Sequence, residues 1–243
     1  MAPTTLSASR TGASGTKAEF AMLAVLCGVG HGVAIWGFSP DASLIAVCFG
    51  ALTYLIATGL AGRAMVRSYP HAHVGWCNAV TVFRLLLTAL LVSWLVSAPF
   101  SPWVVFAIAT LALGLDGVDG WLARREGYVS DFGARFDMEV DSLLALVLAA
   151  HAYLAGSVGP IVLILGLPRY IFFILHAPLP WLAGDLPPRF SRKLVCVMQI
   201  SVLIFAILPP APPGLVTVAV IGVTVALIWS FWLDVRYLWR HRS

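Results

Sequence analysis

Four aspartates stand at spacings that could do chemistry together. Asp116 and Asp119 are three residues apart and Asp137 and Asp141 four apart, so each pair shares a face if its segment is helical. Their flanking segments are apolar and joined by a short polar connection, which makes the two helices antiparallel neighbours whose acidic faces can meet. Four carboxylates brought together repel one another, and a low dielectric adds to the cost of ionising them. Bound cations relieve both. An all-oxygen donor set favours Mg2+ or Mn2+ over zinc, which takes His or Cys. Mg2+ is usually held by a few carboxylates plus substrate phosphate oxygens, which points to phosphoryl chemistry. Gly114, Gly117, Gly120 and Ala123 leave one stretch of the first helix without bulk, where a planar or phosphate-bearing ligand can approach the backbone. Small residues alone are better explained by close helix packing, and a single Asp near a helix end by capping or solvation. It is the four aspartates together with Gly120, Ala123, Arg124 and Gly133 that favour a site.

The elements that must position these residues follow from composition. Of 243 residues, 60 % are hydrophobic and 11 % charged, with mean hydropathy +0.92. Soluble domains run near about 45–50 % apolar and about 25 % charged, so a soluble globular protein is excluded, as are disordered and collagen-like chains. Cys27, Cys48, Cys77 and Cys196 stand singly, without the spacing of a zinc knuckle or a disulfide framework. After a Ser/Thr/Ala/Gly-rich segment over residues 1–18, read as a flexible tail, apolar stretches near the length of a bilayer crossing follow one another. Eight are expected: Phe20 to Phe38, Ala42 to Ala61, Ala79 to Val96, Val104 to Ala123, Phe136 to Ala155, Pro160 to Ala177, Leu194 to Leu208 and Gly214 to Leu233. The first has no small-residue cleavage site after it and is read as a retained helix.

Basic residues set the orientation. Arg10 and Lys17, Arg63 and Arg67, Arg124, Arg125 and Arg135, Arg189, Arg192 and Lys193, and Arg236, Arg240 and Arg242 all fall in alternate connections or at the termini. The opposite turns, around Pro40, Pro99, Gly156 and Pro209 to Pro213, carry none. This positive-inside pattern expects both termini and the aspartates' connection on the cytoplasmic side. The formal net charge of +4 is thereby explained by topology, with no nucleic-acid partner. Two arginines remain, Arg84 and Arg169, and both lie inside apolar stretches. Ionisable groups at such depth are costly and face a cavity or a partner, which makes each a candidate functional residue.

The run Asp116-x2-Asp119-Gly120-x2-Ala123-Arg124-x8-Gly133-x3-Asp137-x3-Asp141 resembles the signature of the CDP-alcohol phosphotransferase (CDP-alcohol phosphatidyltransferase) family of integral membrane enzymes, and all eight positions fit. Asn78, Thr81 and Arg84 resemble the family's P-N-x-x-T-x-x-R opening of its first core helix, with Cys77 in place of the proline. Arg169 falls in the fourth core helix, where members often carry an arginine, and Ser191 to Gln199 resembles a basic start of the fifth. The resemblance implies an all-α integral membrane protein with a six-helix core, residues 78–236. Two extra helices (19–62) and a basic linker (63–77) precede that core, and a basic tail (237–243) follows it. It implies a multi-pass protein of a bacterial cell membrane.

The resemblance further implies transfer of a substituted phosphoryl group from a CDP-linked donor, most often CDP-diacylglycerol, to an alcohol, with release of CMP. Asp116, Asp119 and Asp137 would hold Mg2+ or Mn2+, and Asp141 would act as general base, as metal ligand, or as both. Gly120, Ala123, Arg124, Gly133, Asn78 and Thr81 would receive the CDP donor. Arg84, Arg169, Arg192 and Lys193 would form an acceptor pocket. If two or more of those bases converge, a phosphorylated acceptor such as glycerol 3-phosphate or inositol phosphate is expected over serine or choline. Contact with anionic headgroups explains Arg192 and Lys193 equally well. Homodimers are common in the family, but nothing in the sequence specifies an interface. The competing class is a transporter or channel using the acids as a cation site, which would spread charges through the bilayer.

Overall fold

In a bilayer the backbone has no water to bond, so an apolar chain satisfies its polar groups internally as helix. A computed structural model describes residues 5–96, 101–184, 186–187 and 189–241, and among these every regular element is helical. Nine α-helices follow in order: α1 (Thr5–Phe38), α2 (Leu44–Ser68), α3 (Gly75–Val96), α4 (Pro102–Glu126), α5 (Asp131–Leu154), α6 (Leu163–Gly166), α7 (Pro168–His176), α8 (Phe190–Ala206) and α9 (Pro213–Arg240). The helix α1 thus starts inside the segment read as a flexible tail. The first four residues of that tail, the turn around Pro99, and Arg242 lie outside the described residues.

Among the described residues, five helices are long and apolar enough to cross a membrane: α1 from Gly15, α2, α3, α4 and α9. The other expected crossings fall short for visible reasons. Asp137, Glu139 and Asp141 charge the first half of α5, and α8 has only 17 residues. The stretch read as one crossing from Pro160 to Ala177 is broken at Pro168, because proline lacks the N–H that would continue the helix. The Gln199 amide donates to the Leu165 carbonyl, one of the acceptors left free by that break.

The chain divides into two compact units, residues 1–141 and 142–243. In the first, α3 is central: it packs against α4, α2 and α1, and Leu85, Leu86, Leu90 and Leu91 are buried along it. The two N-terminal helices are fixed to α3 and to each other by polar contacts as well as apolar ones. His31 meets Ser93 at 3.2 Å, and the Tyr54 hydroxyl donates to the Ala24 carbonyl at 2.8 Å. Gly50 lets α2 approach, since a Cβ there would lie 2.0 Å from the Ser93 hydroxyl. In the second unit α8 packs on α9 over Leu203, Val216 and Val220. Arg189 and Arg192 at the start of α8 both bind Asp234 of α9.

Candidate active site

The first unit holds the four aspartates. On α4 the buried positions Val105, Ala109 and Ala112 recur every three or four residues and lead through Asp116 to buried Asp119, so the face that packs on α3 ends in carboxylates. Helix α4 stops at Gly127, whose φ of 73° is the left-handed conformation glycine adopts without a Cβ penalty. The Tyr128 N–H then closes on the Ala123 carbonyl at 3.0 Å. Three residues later Ser130 caps α5: its hydroxyl accepts the Gly133 N–H at 3.1 Å. On α5 the buried residues Phe132, Phe136, Val140 and Leu144 recur every fourth position, and Asp137 and Asp141 form the adjoining row.

The two acidic faces meet on one side chain. Arg84 of α3 is 0 % exposed, and its guanidinium reaches all four aspartates. Nη1 lies 2.9 Å from Asp119 Oδ2 and 3.3 Å from Asp116 Oδ1, and it also bonds Asp137, while Nη2 bonds Asp141. The remaining donor, Nε, binds the Ala112 carbonyl at 3.1 Å, a backbone acceptor that sequence patterns do not reveal. Arg84, one of the four residues expected in an acceptor pocket, is enclosed by the four carboxylates as their counter-ion. Thr81, one turn before Arg84, donates to Asp119 Oδ2 at 3.2 Å.

The donor set fits a divalent cation. Asp116, Asp119 and Asp137 each offer a carboxylate oxygen, all within 4.8 Å of one another, a separation that oxygens ligating one Mg2+ or Mn2+ at about 2.0–2.2 Å can adopt with small side-chain shifts. Beside them α4 is bare. A Cβ built on Gly114 or Gly117 would meet nothing within 4 Å, and one on Gly120 would meet only the end of the Arg124 side chain at 3.6 Å. Gly133 is different: a Cβ there would lie 3.2 Å from the Ser130 hydroxyl and 3.4 Å from Asn78 Oδ1, so glycine lets the first turn of α5 close on Asn78.

Asn78, buried at the start of α3, is oriented by partners that the sequence reading missed. Its amide donates to the Val74 carbonyl at 2.6 Å and to the Tyr69 hydroxyl at 3.1 Å. Burial pushes the Tyr69 hydroxyl well above its ordinary pKa, so it stays protonated and able to donate as well as accept. In the second unit, Arg169 is half-buried at the start of α7 and Lys193 is exposed on α8. Arg192 is committed to Asp234, with Nε–Oδ2 and Nη2–Oδ1 both 3.0 Å. An acid in the last apolar helix, two residues before the basic C-terminal run, was the available signal for that pair.

Residues 75–232 match the model of the CDP-alcohol phosphatidyltransferase family. No solved structure matches the chain.

Proposed function

From this chain's membership of the CDP-alcohol phosphatidyltransferase family, we propose that it moves a phosphatidyl group from CDP-diacylglycerol to the hydroxyl of an alcohol and releases CMP, for phospholipid synthesis. The observation that carries this reading is the convergence of Asp116, Asp119, Asp137 and Asp141 from two helices beside a face of α4 stripped of side chains. A transporter would need its charges strung along a path, whereas these acids share one arginine.

Asp116, Asp119 and Asp137 would hold Mg2+ or Mn2+. When bound, the metal neutralises charge on the diphosphate and on the leaving CMP. Asp141 takes the proton from the acceptor hydroxyl; the freed oxygen forms a bond to the lipid-bearing phosphorus, and the bond from that phosphorus to the CMP oxygen breaks. In-line displacement of this kind depends on position and charge neutralisation more than on covalent help. Arg84 keeps the carboxylates together and orients Asp141 through its Nη2. Thr81 fixes the Asp119 carboxylate. The bare stretch at Gly120 and Ala123 admits the cytidine, bounded by Asn78 and Gly133, with Arg124 near the donor phosphates. Arg169 and Lys193, with Arg192 fixed by Asp234, recognise a phosphate on the acceptor.

Eight crossings, with α6 and α7 together making one of them, and both termini in the cytoplasm would put this chemistry at the cytoplasmic face of a bacterial membrane. A soluble alcohol can arrive there from water while the acyl chains stay in the leaflet. The test is to incubate the purified protein with CDP-diacylglycerol, a divalent cation and a panel of alcohols, and to weigh the lipid formed. The expected product is the donor minus CMP plus an acceptor, with glycerol 3-phosphate or inositol phosphate used in preference to serine or choline. CMP release with none of the panel would reject the acceptor class, and no CMP release under any condition would reject the reaction.

A further inference from the structure

The two N-terminal helices lie outside the family match, which begins at residue 75, yet one face of α1 touches the linker that leads into α3 and Phe136 of α5. Thr16, Glu19 and Phe20 stand at i, i+3 and i+4 and share that face. The Thr16 hydroxyl donates to the Ala72 carbonyl at 2.6 Å. Glu19 spans the next two residues: one carboxylate oxygen lies 2.7 Å from His73 Nδ1 and the other accepts the Val74 N–H at 2.9 Å. Phe20, 5 % exposed, meets the ring of Phe136 edge-on at 6.4 Å, one residue before Asp137.

The Glu19 contact leads directly to the site. Val74 is buried; its N–H is held by Glu19 while its carbonyl receives the amide of Asn78. Fixing that peptide therefore fixes the acceptor that orients Asn78, which in turn faces Gly133 at the start of α5. The linker is pinned from its other side as well. Gly75, at φ +74°, lies against the Tyr128 ring, and the Trp76 N–H is accepted by Glu126 at 3.2 Å. Packing a hydrophobic hairpin onto α3 needs none of this polar contact. The imidazole of His73 is 69 % exposed, so its ion pair adds little, whereas a charge-assisted bond to a buried peptide is one of the stronger kinds.

We propose that α1 is a brace for the donor-binding end of the site and that Glu19 is its positioning residue, holding the Val74 peptide so that Asn78 is presented to the CDP-linked donor. This rests on the phosphatidyl-transfer reading above. The test uses the full-length protein with CDP-diacylglycerol and Mn2+. Glu19→Ala is expected to raise the donor KM roughly tenfold, the order of one part-buried charge-assisted hydrogen bond, with kcat and acceptor KM within about twofold of wild type. Glu19→Gln keeps an acceptor for the Val74 N–H and is expected to restore the donor KM to within about twofold. His73→Ala is expected to leave it unchanged. A Glu19→Ala variant with an unaltered donor KM, or one whose losses fall equally on all constants and are not restored by Gln, overturns the proposal. If Glu19→Ala is not recovered folded, Thr16→Val is read instead, with a rise of about threefold expected and no rise overturning it. Hydrogen exchange over residues 71–76 reads the brace without any activity. Faster exchange in Glu19→Ala supports it and unchanged exchange rejects it, even if the wild-type protein releases no CMP and the reaction assigned above is wrong.

Discussion

Asp141→Asn is expected to lower CMP release by roughly a thousandfold, within the range that a positioned general base contributes. The substitution is well suited to separating roles. Asparagine keeps an oxygen that can accept from Arg84 Nη2, so the packing around the guanidinium survives, but it has no carboxylate to take the acceptor's proton. The three oxygens close enough to share a cation belong to Asp116, Asp119 and Asp137, and the variant keeps them. Mn2+ binding, read by titration calorimetry or by quenching of a nucleotide analogue, is therefore expected to stay within a few fold of wild type. Asp119→Asn, in contrast, should lose cation binding and turnover together. Normal turnover in Asp141→Asn would remove the general-base role.

The second large effect concerns stability. Arg84→Ala leaves four carboxylates gathered around a vanished cation, and removing one partner of a buried ionic cluster costs about 3–5 kcal/mol. The lower end applies, because Asp116, Asp137 and Asp141 keep between 22 % and 35 % of their side-chain surface in contact with solvent. At about 2–4 °C per kcal/mol for a chain of this size, the unfolding midpoint in EDTA should fall by roughly 6–12 °C. Millimolar Mg2+ or Mn2+ should recover a large part of that loss, since a divalent ion can neutralise the acids that the arginine no longer does. In the wild-type protein, which has its own counter-ion, the same addition should raise the midpoint less. An Arg84→Ala variant as stable as wild type in EDTA, or one that gains no more from divalent ions than wild type does, would show that Arg84 is not the counter-ion of the cluster.

The aspartate motif was legible because charge is so rare in this chain. With acids at i, i+3 and i, i+4 on consecutive apolar segments, the facing arrangement follows from helical period and a short connection alone. What the acids face was not legible. Arg84 stood out by its depth, but an arginine inside an apolar helix can serve a substrate, a lipid or a partner helix, and the choice of carboxylates 32 to 57 residues away is made by packing. Glu19 was missed for a related reason: beside Lys17 at the start of a hydrophobic stretch it reads as an interfacial charge. Its one local signal was the lack of a basic residue three or four positions away on its own helix, which leaves a carboxylate to seek a partner elsewhere. Helix limits erred where hydropathy and hydrogen bonding diverge. The helix α5 begins at Asp131, five residues before the apolar run, because its polar first turn is satisfied by the Ser130 cap. Pro160 to Ala177 is apolar throughout most of its length and was read as one element, but Pro168 interrupts the helix even though it leaves hydrophobicity high.

The proposed reaction requires the carboxylates to act through a divalent cation on a CDP-linked lipid. The direct measurement is CMP release from CDP-diacylglycerol by the purified protein with its acceptor, first in Mg2+ or Mn2+, then in excess EDTA, then with the cation restored. Release that stops in EDTA and returns on re-addition is the predicted result. Release that continues undiminished in excess chelator would contradict it.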